Sequence, residues 1–190
     1  MVLGVVYCAT SFAYSFVAFV SREPVIHFHE YSSSSLMLEI GGHIGFGMIA
    51  AFPLLDMELI LLSGILAILI DVDHVLTALN LATNGRPSHS FMFIPIAFLM
   101  LVCVGRKIRL TNRRSVEVAA LAGVAFLAHI AYDIFAAYVI FAGRGASFPL
   151  FTPFSFTLIS FPYWAWVVFE AAALAVAGAM RFIIPPFSSR

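Results

Sequence analysis

Charge is what this chain has least of. Only 11% of its 190 residues are Asp, Glu, Lys or Arg, and the two signs cancel to a formal net charge of zero. A soluble domain of this length could not cover its surface with so few charges, so a water-soluble protein is excluded. No basic stripe is present to neutralise phosphates, which argues against nucleic acid as a partner. Cysteine is almost missing as well. Cys8 and Cys103 lie in separate apolar runs without CxxC spacing, read as packing residues with nothing to support a disulfide. No HExxH segment occurs, which excludes an intramembrane zinc protease of that type.

What is present is apolar sequence, 62% of the chain, in runs long enough to cross a bilayer, given that a span needs about 20 residues. The expected fold is a single all-α domain over residues 1–190, a polytopic helical membrane bundle of about six transmembrane helices. The spans fall at residues 1–20, Leu36–Leu55, Leu59–Leu81, Phe91–Val104, Val116–Phe141 and Leu158–Ile184. A cleaved signal peptide is the alternative for residues 1–20, but no basic leader and no small-x-small site precede Ser21. The turn 53-PLLDME-58, the basic loop 105-GRKIRLTNRRS-115 and the Gly- and Pro-rich stretch 142-AGRGASFPLFTPFS-155 separate the later spans.

Basic residues set the orientation. With the basic loop in the cytoplasm, both termini are cytoplasmic. That side collects Arg106, Lys107, Arg109, Arg113, Arg114, Arg181 and Arg190, against Arg22, Arg86 and Arg144 outside, as the positive-inside rule requires.

Counting along the spans puts His43, Asp71, His89 and His129 at a common depth, about 18–24 Å from the cytoplasmic surface and near the outer leaflet. Ionisable groups inside spans are costly and normally face one another, a cavity or an ion. His129 and Asp133 are i and i+4 on one helix face, and Asp71 and His74 are i and i+3. Asp73 joins them if the helix end unwinds. Imidazole and carboxylate ligands together suit zinc best, with manganese or iron as alternatives, and seven candidates are enough for one ion or two. Each residue taken alone is equally well read as a hydrogen bond between helices. His27 and His29, flanked by Glu23 and Glu30, read as solvated loop residues, and Asp56 and Glu58 as a solvated turn. Glu170 lies mid-span as a ligand-orienting group, a proton shuttle or a structural hydrogen bond. Arg144 reads as an interfacial snorkel.

Five segments in order, 41-GGHIGFG-47, 70-IDVDHV-75, 88-SHSF-91, 128-AHIAYDIF-135 and 149-PLFTPF-154, resemble the YdjM-like membrane-bound metal-dependent hydrolases. That family carries an early histidine, a Pro-Asp-x-Asp-His segment, a Thr-His-Ser segment, a late His-x-x-x-Asp pair and a leucine–proline segment. Here Ile70 stands in place of the proline. At 84-NGR-86 the family often has His-Arg-Gly, so one family histidine is missing. The resemblance covers Gly41 to Phe154 and leaves out residues 1–20 and the loop after them. It implies a metal-dependent hydrolase but supplies no substrate.

The residues suggest a chemistry of their own. A metal near the outer leaflet activates water and polarises a phosphoryl or acyl oxygen. Asp73 or Asp133 is placed to act as general base, while Arg86, Ser88 and Ser90 grip an anionic head group. A lipid phosphoester or another amphiphilic ester is then the expected substrate, reached by lateral diffusion in the bilayer. The pieces 86-RPSH-89 and 129-HIAYD-133 also look like parts of the membrane phosphatidic-acid phosphatases. Ala122-Gly123 stands where that set needs Ser-Arg, so that reading is rejected. The non-enzyme alternative is a metal-ion or proton-coupled transporter using the same residues. Paired histidines binding haem are less apt, because aspartates accompany them.

Overall fold

Apolar helix formers fill this chain, and its turns come where proline or a capping side chain interrupts them. The computed structural model describes residues 1–17, 33–74, 86–140 and 145–183, less the side chains of 33–35 and 73. His27, His29, Arg144 and the last part of the third expected span, residues 75–81, lie outside the described residues. Six helices are described: α1 (Val2–Ser15), α2 (Ser33–Ala51), α3 (Met57–Leu69), α4 (Phe93–Lys107), α5 (Asn112–Val139) and α6 (Ala165–Ile183).

Local chemistry explains the boundaries. α2 tightens into a 3-10 turn over Phe52–Leu54, and Leu55 takes left-handed backbone at φ 52°. Asp56 then caps α3, accepting from the amides of Glu58 and Leu59. Thr111 does the same for α5 by accepting from the Arg114 amide. Each cap satisfies amides that a helix N-terminus otherwise leaves without partners.

α5 is the central column and packs against α2, α3, α4 and α6. Of its apolar stretch 72% is buried, against 22% for α6 and 28% for the span in α2. α2 and α3 come together at Gly47 and Gly64. A Cβ on Gly47 would lie 2.8 Å from the Ser63 carbonyl oxygen, and one on Gly64 2.9 Å from that of Ile44. Small residues at such crossings are how membrane helices approach closely. The outward surface is apolar, with Met37, Ile49, Leu99, Val168 and Phe182 exposed.

The expected fold holds at its coarser level: the described chain is mainly helical, and three helices, Leu36–Leu54, Asn112–Val139 and Ala165–Ile183, are long and apolar enough to cross a membrane. The other helices differ from the expected spans in length. α1 has 14 residues and rises about 21 Å, short of a hydrocarbon core of about 30 Å. α3 stops at Leu69 and gives way to a 3-10 turn, Ile70–Asp73. The last helix starts at Ala165 rather than Leu158. Ile159–Phe161 is instead a strand, β2, paired antiparallel with β1 (Ala146–Phe148). Alternating Ile-Ser-Phe suits a strand, and Pro162 favours a late helix start.

α1 joins the bundle through polar ties as well as packing. Ser11 Oγ donates to the Ile70 carbonyl at 2.8 Å, and Tyr14 Oη to the Thr152 carbonyl at 2.6 Å. The Tyr7 ring meets Phe93 edge-on, with centroids 5.3 Å apart.

Candidate metal centre

Five donors from four parts of the fold gather in overlapping groups. His43 comes from α2, Asp71 from the 3-10 turn after α3, and His129 and Asp133 from one face of α5. His89 ends the short turn Pro87–His89 that leads toward α4. The three histidines are fully buried.

Two backbone carbonyls orient the inner imidazoles. His129 Nδ1 lies 2.8 Å from the Ala67 carbonyl, and His43 Nδ1 2.9 Å from that of Glu39. A carbonyl can only accept, so each Nδ1 carries a proton and each ring turns its Nε2 inward. His43 Nε2 is then 3.1 Å from Asp133 Oδ1 and 3.4 Å from Asp71 Oδ2. His129 Nε2 is 2.7 Å from His89 Nε2 and 3.4 Å from Asp133 Oδ2. His89 Nε2 in turn stands 3.2 Å from Asp133 Oδ2.

Imidazole nitrogens and carboxylates gathered this closely in a buried place could hold a metal ion among them. Three overlapping sets each bring their ligand atoms within 4.8 Å of one another: His43, Asp71 and His129; His89, His129 and Asp133; and Glu39, His43 and Asp133. The donor set fits a metal ion of the kind that accepts nitrogen and oxygen together, without specifying which.

Aromatic contacts hold the rings in place. Phe148 of β1 stacks on His89 with centroids 5.6 Å apart and planes inclined by 6°. Tyr132 presses edge-on against His43 at 4.6 Å and donates through Oη to the Leu38 carbonyl at 2.7 Å. Gly42 makes room for that tyrosine: a Cβ there would sit 2.0 Å from its ring.

Arg86 and His74 stand at the rim. Arg86 takes left-handed backbone (φ 34°) just before Pro87, a region costly for a residue with a side chain and often met at functional sites. Its guanidinium donates to Asp133 Oδ2 at 3.1 Å and to Asp71 Oδ1, and its Nη2 lies 3.1 Å from His74 Nε2. His74 Nε2 is 3.5 Å from Asp71 Oδ1. A cavity of about 180 Å³ opens beside these groups, walled also by Glu39 and by Gly145 to Phe148.

The remaining candidates divide. Ser88 Oγ is 3.1 Å from His89 Nδ1 and can orient that ring. Ser90 faces away from the donors, its hydroxyl bonding the Leu150 and Thr152 carbonyls. The Asp73 side chain lies outside the described residues. Glu170 is buried, its carboxylate is not in the converging sets, and it has no hydrogen-bond partner among the described residues.

Sequence reasoning missed Glu39 and Phe148. Glu39 stands four residues before His43, the same i,i+4 spacing that drew attention to His129 and Asp133, and that signal was readable. Phe148 is one of 20 phenylalanines, and no local pattern marks it. Comparison with protein-family models, with curated proteins and with solved structures gives no match.

Proposed function

We propose that this protein is a membrane-embedded, metal-dependent hydrolase acting on a lipid phosphoester or similar amphiphilic ester. In this reading the chain crosses the bilayer six times with both termini cytoplasmic, and the site lies toward the outer leaflet. The ordered motifs that resemble the YdjM-like hydrolases support it. The observation that carries it is the pair of inward-turned Nε2 atoms, each fixed by a carbonyl behind it and facing two carboxylates.

His43, Asp71, His89, His129 and Asp133 hold one or two divalent ions, zinc first, with Glu39 as a further ligand. A bound ion of this type supplies Lewis acidity toward a phosphoryl or acyl oxygen and makes nearby water more acidic. The chain's own groups do the rest. Asp133 or Asp73 accepts a proton from the attacking water, whichever is released from ligation. Arg86 has two carboxylates within reach and can shift its guanidinium from them to an incoming anion. Ser88 keeps His89 in register. The 180 Å³ cavity is below the 300–1,000 Å³ usual for whole-ligand pockets, so a head group enters while the tails stay in lipid.

The test is elemental analysis of the purified protein, followed by hydrolysis assays on short-chain phosphoester lipids. Bound zinc, manganese or iron with phosphoester cleavage is the expected outcome. Metal-free protein would defeat the proposal. Exchangeable metal with counter-flux in vesicles and no cleavage would favour the transporter instead.

A further inference from the structure

A second and larger cavity lies at the other end of the bundle. Its volume is about 740 Å³, within the range of ligand pockets. It is bounded by the α2–α3 turn, the α4–α5 connection and the last turns of α6. Along α5, Arg114 and Asp133 are separated by about 28 Å of helical rise, so this cavity shares no wall with the metal site.

Four arginines and two acids contribute to its wall. Two of those arginines are engaged by the acids. Arg114 meets Asp56 at 3.0 Å and Glu117 at 3.2 Å, and Arg113 meets Glu117 at 2.9 Å. Arg109 and Arg181 are different, because neither makes an ion pair among the described residues. Among the described residues Arg181 donates to the Pro53 carbonyl, at 3.3 Å. Arg109 is exposed and takes left-handed backbone at φ 66°, a conformation that glycine would occupy more cheaply. Apart from Thr111, the rest of the wall is apolar, with Leu59 and Met180 both buried.

A pocket with two guanidiniums that lack a carboxylate partner among the described residues, at a polar rim over an aliphatic interior, matches a phosphate carrying hydrocarbon chains. We infer that this cavity binds the head group of an anionic phospholipid, with Arg109 and Arg181 on the phosphate and the leucine and methionine wall against the upper acyl chains. Guanidinium is suited to phosphate because its paired N–H groups match two oxygens at once. Basic pockets between helices near a membrane surface are a recognised place for such lipids. The site is separate from the catalytic proposal and stands or falls without it.

The experiment titrates delipidated protein in detergent with short-chain phosphatidylglycerol, phosphatidylcholine or inorganic phosphate, counting bound ligand by native mass spectrometry. The phosphatidylglycerol should bind in preference to both others. R109Q/R181Q should weaken it roughly thirtyfold, while R106Q/K107Q, which alters exposed charge at the same end outside the cavity, should leave it near wild type. Equal weakening by both double variants would show diffuse surface charge and overturn the site. Phosphatidylcholine binding as tightly would remove the anion selectivity, and phosphate binding as tightly would remove the role of the apolar wall. Either result overturns the lipid assignment.

Discussion

The two ends of α5 use charge in opposite ways. Near Asp133 the ionisable groups are largely buried, drawn from four parts of the chain, and crowded into overlapping sets of possible ligands. Near Arg114 they are more open and already paired, one arginine with Asp56, Glu58 and Glu117. The first arrangement already has Arg86 on Asp71 and Asp133, and its histidines and carboxylates could hold a metal ion as well. The second is self-compensating and holds α3 to α5 whether or not a ligand arrives. Partly exposed pairs of that kind contribute little each, about 0–1 kcal/mol. The contrast separates groups that could hold a metal ion from groups that tie helices together.

The largest effects should come from the metal-site end. H129A or D133A should lose most of the bound metal and reduce any hydrolysis by more than about a thousandfold, while the protein still accumulates in the membrane. Elemental analysis of the two purified variants checks this, and full occupancy in both would erase the distinction between the two ends. Chelation should likewise abolish activity, with recovery on adding zinc.

Gly42→Ala tests the ring support. The added methyl would overlap the Tyr132 ring, so the ring and His43 behind it must move. Overpacking of this kind costs about 1–3 kcal/mol, and loss of support to a ligand weakens metal binding about 10–100-fold. Chelator competition and thermal melting in detergent read the two quantities separately.

The Asp56 end should respond more weakly. Asp56→Ala removes a helix cap and a partner of Arg114 and should cost about 1 kcal/mol, with metal content unchanged. Burial pushes the Asp56 carboxyl up, but the Leu59 and Glu58 amides and the Arg114 guanidinium together pull it below the ordinary value. Because the folded pKa is the lower one, this contribution is present above pH about 4 and is lost as the pH falls through the depressed value. Melting curves of wild type and Asp56→Ala should therefore converge under acid. A constant gap down to the lowest pH would show that the carboxylate's charge plays no part.

The donors were readable in the sequence because burying His or Asp in an apolar run is expensive, and such residues stand out against it. His43, Asp71, His89 and His129, which counting puts at one depth, lie with Asp133 in overlapping groups whose ligand atoms are within 4.8 Å of one another. What could not be read was where apolar sequence stops being helix. The run from Leu158 looks like a continuous span, yet Ile159–Phe161 pairs with Ala146–Phe148 through register and through the Ser147–Ser160 hydroxyl bond at 2.8 Å. Strand pairing between distant segments leaves no periodic mark in three residues. The shortness of α3 was hidden for a similar reason. Its end is a tightening at Ile70 rather than a proline or glycine, and it is this tightening that carries Asp71 to the donors.

The amino-terminal helix provides no ligand, and it lies outside the motifs that suggest a hydrolase. Even so, Ser11 grips the residue just before Asp71, and Tyr14 grips the segment that Ser90 also fastens. A shortened chain starting at Ser33 would keep every donor atom and still lose two of the struts that set their spacing. Homologues that lack such a helix would have to fix the same two carbonyls by other means, which makes those carbonyls the place to look for a substitute brace.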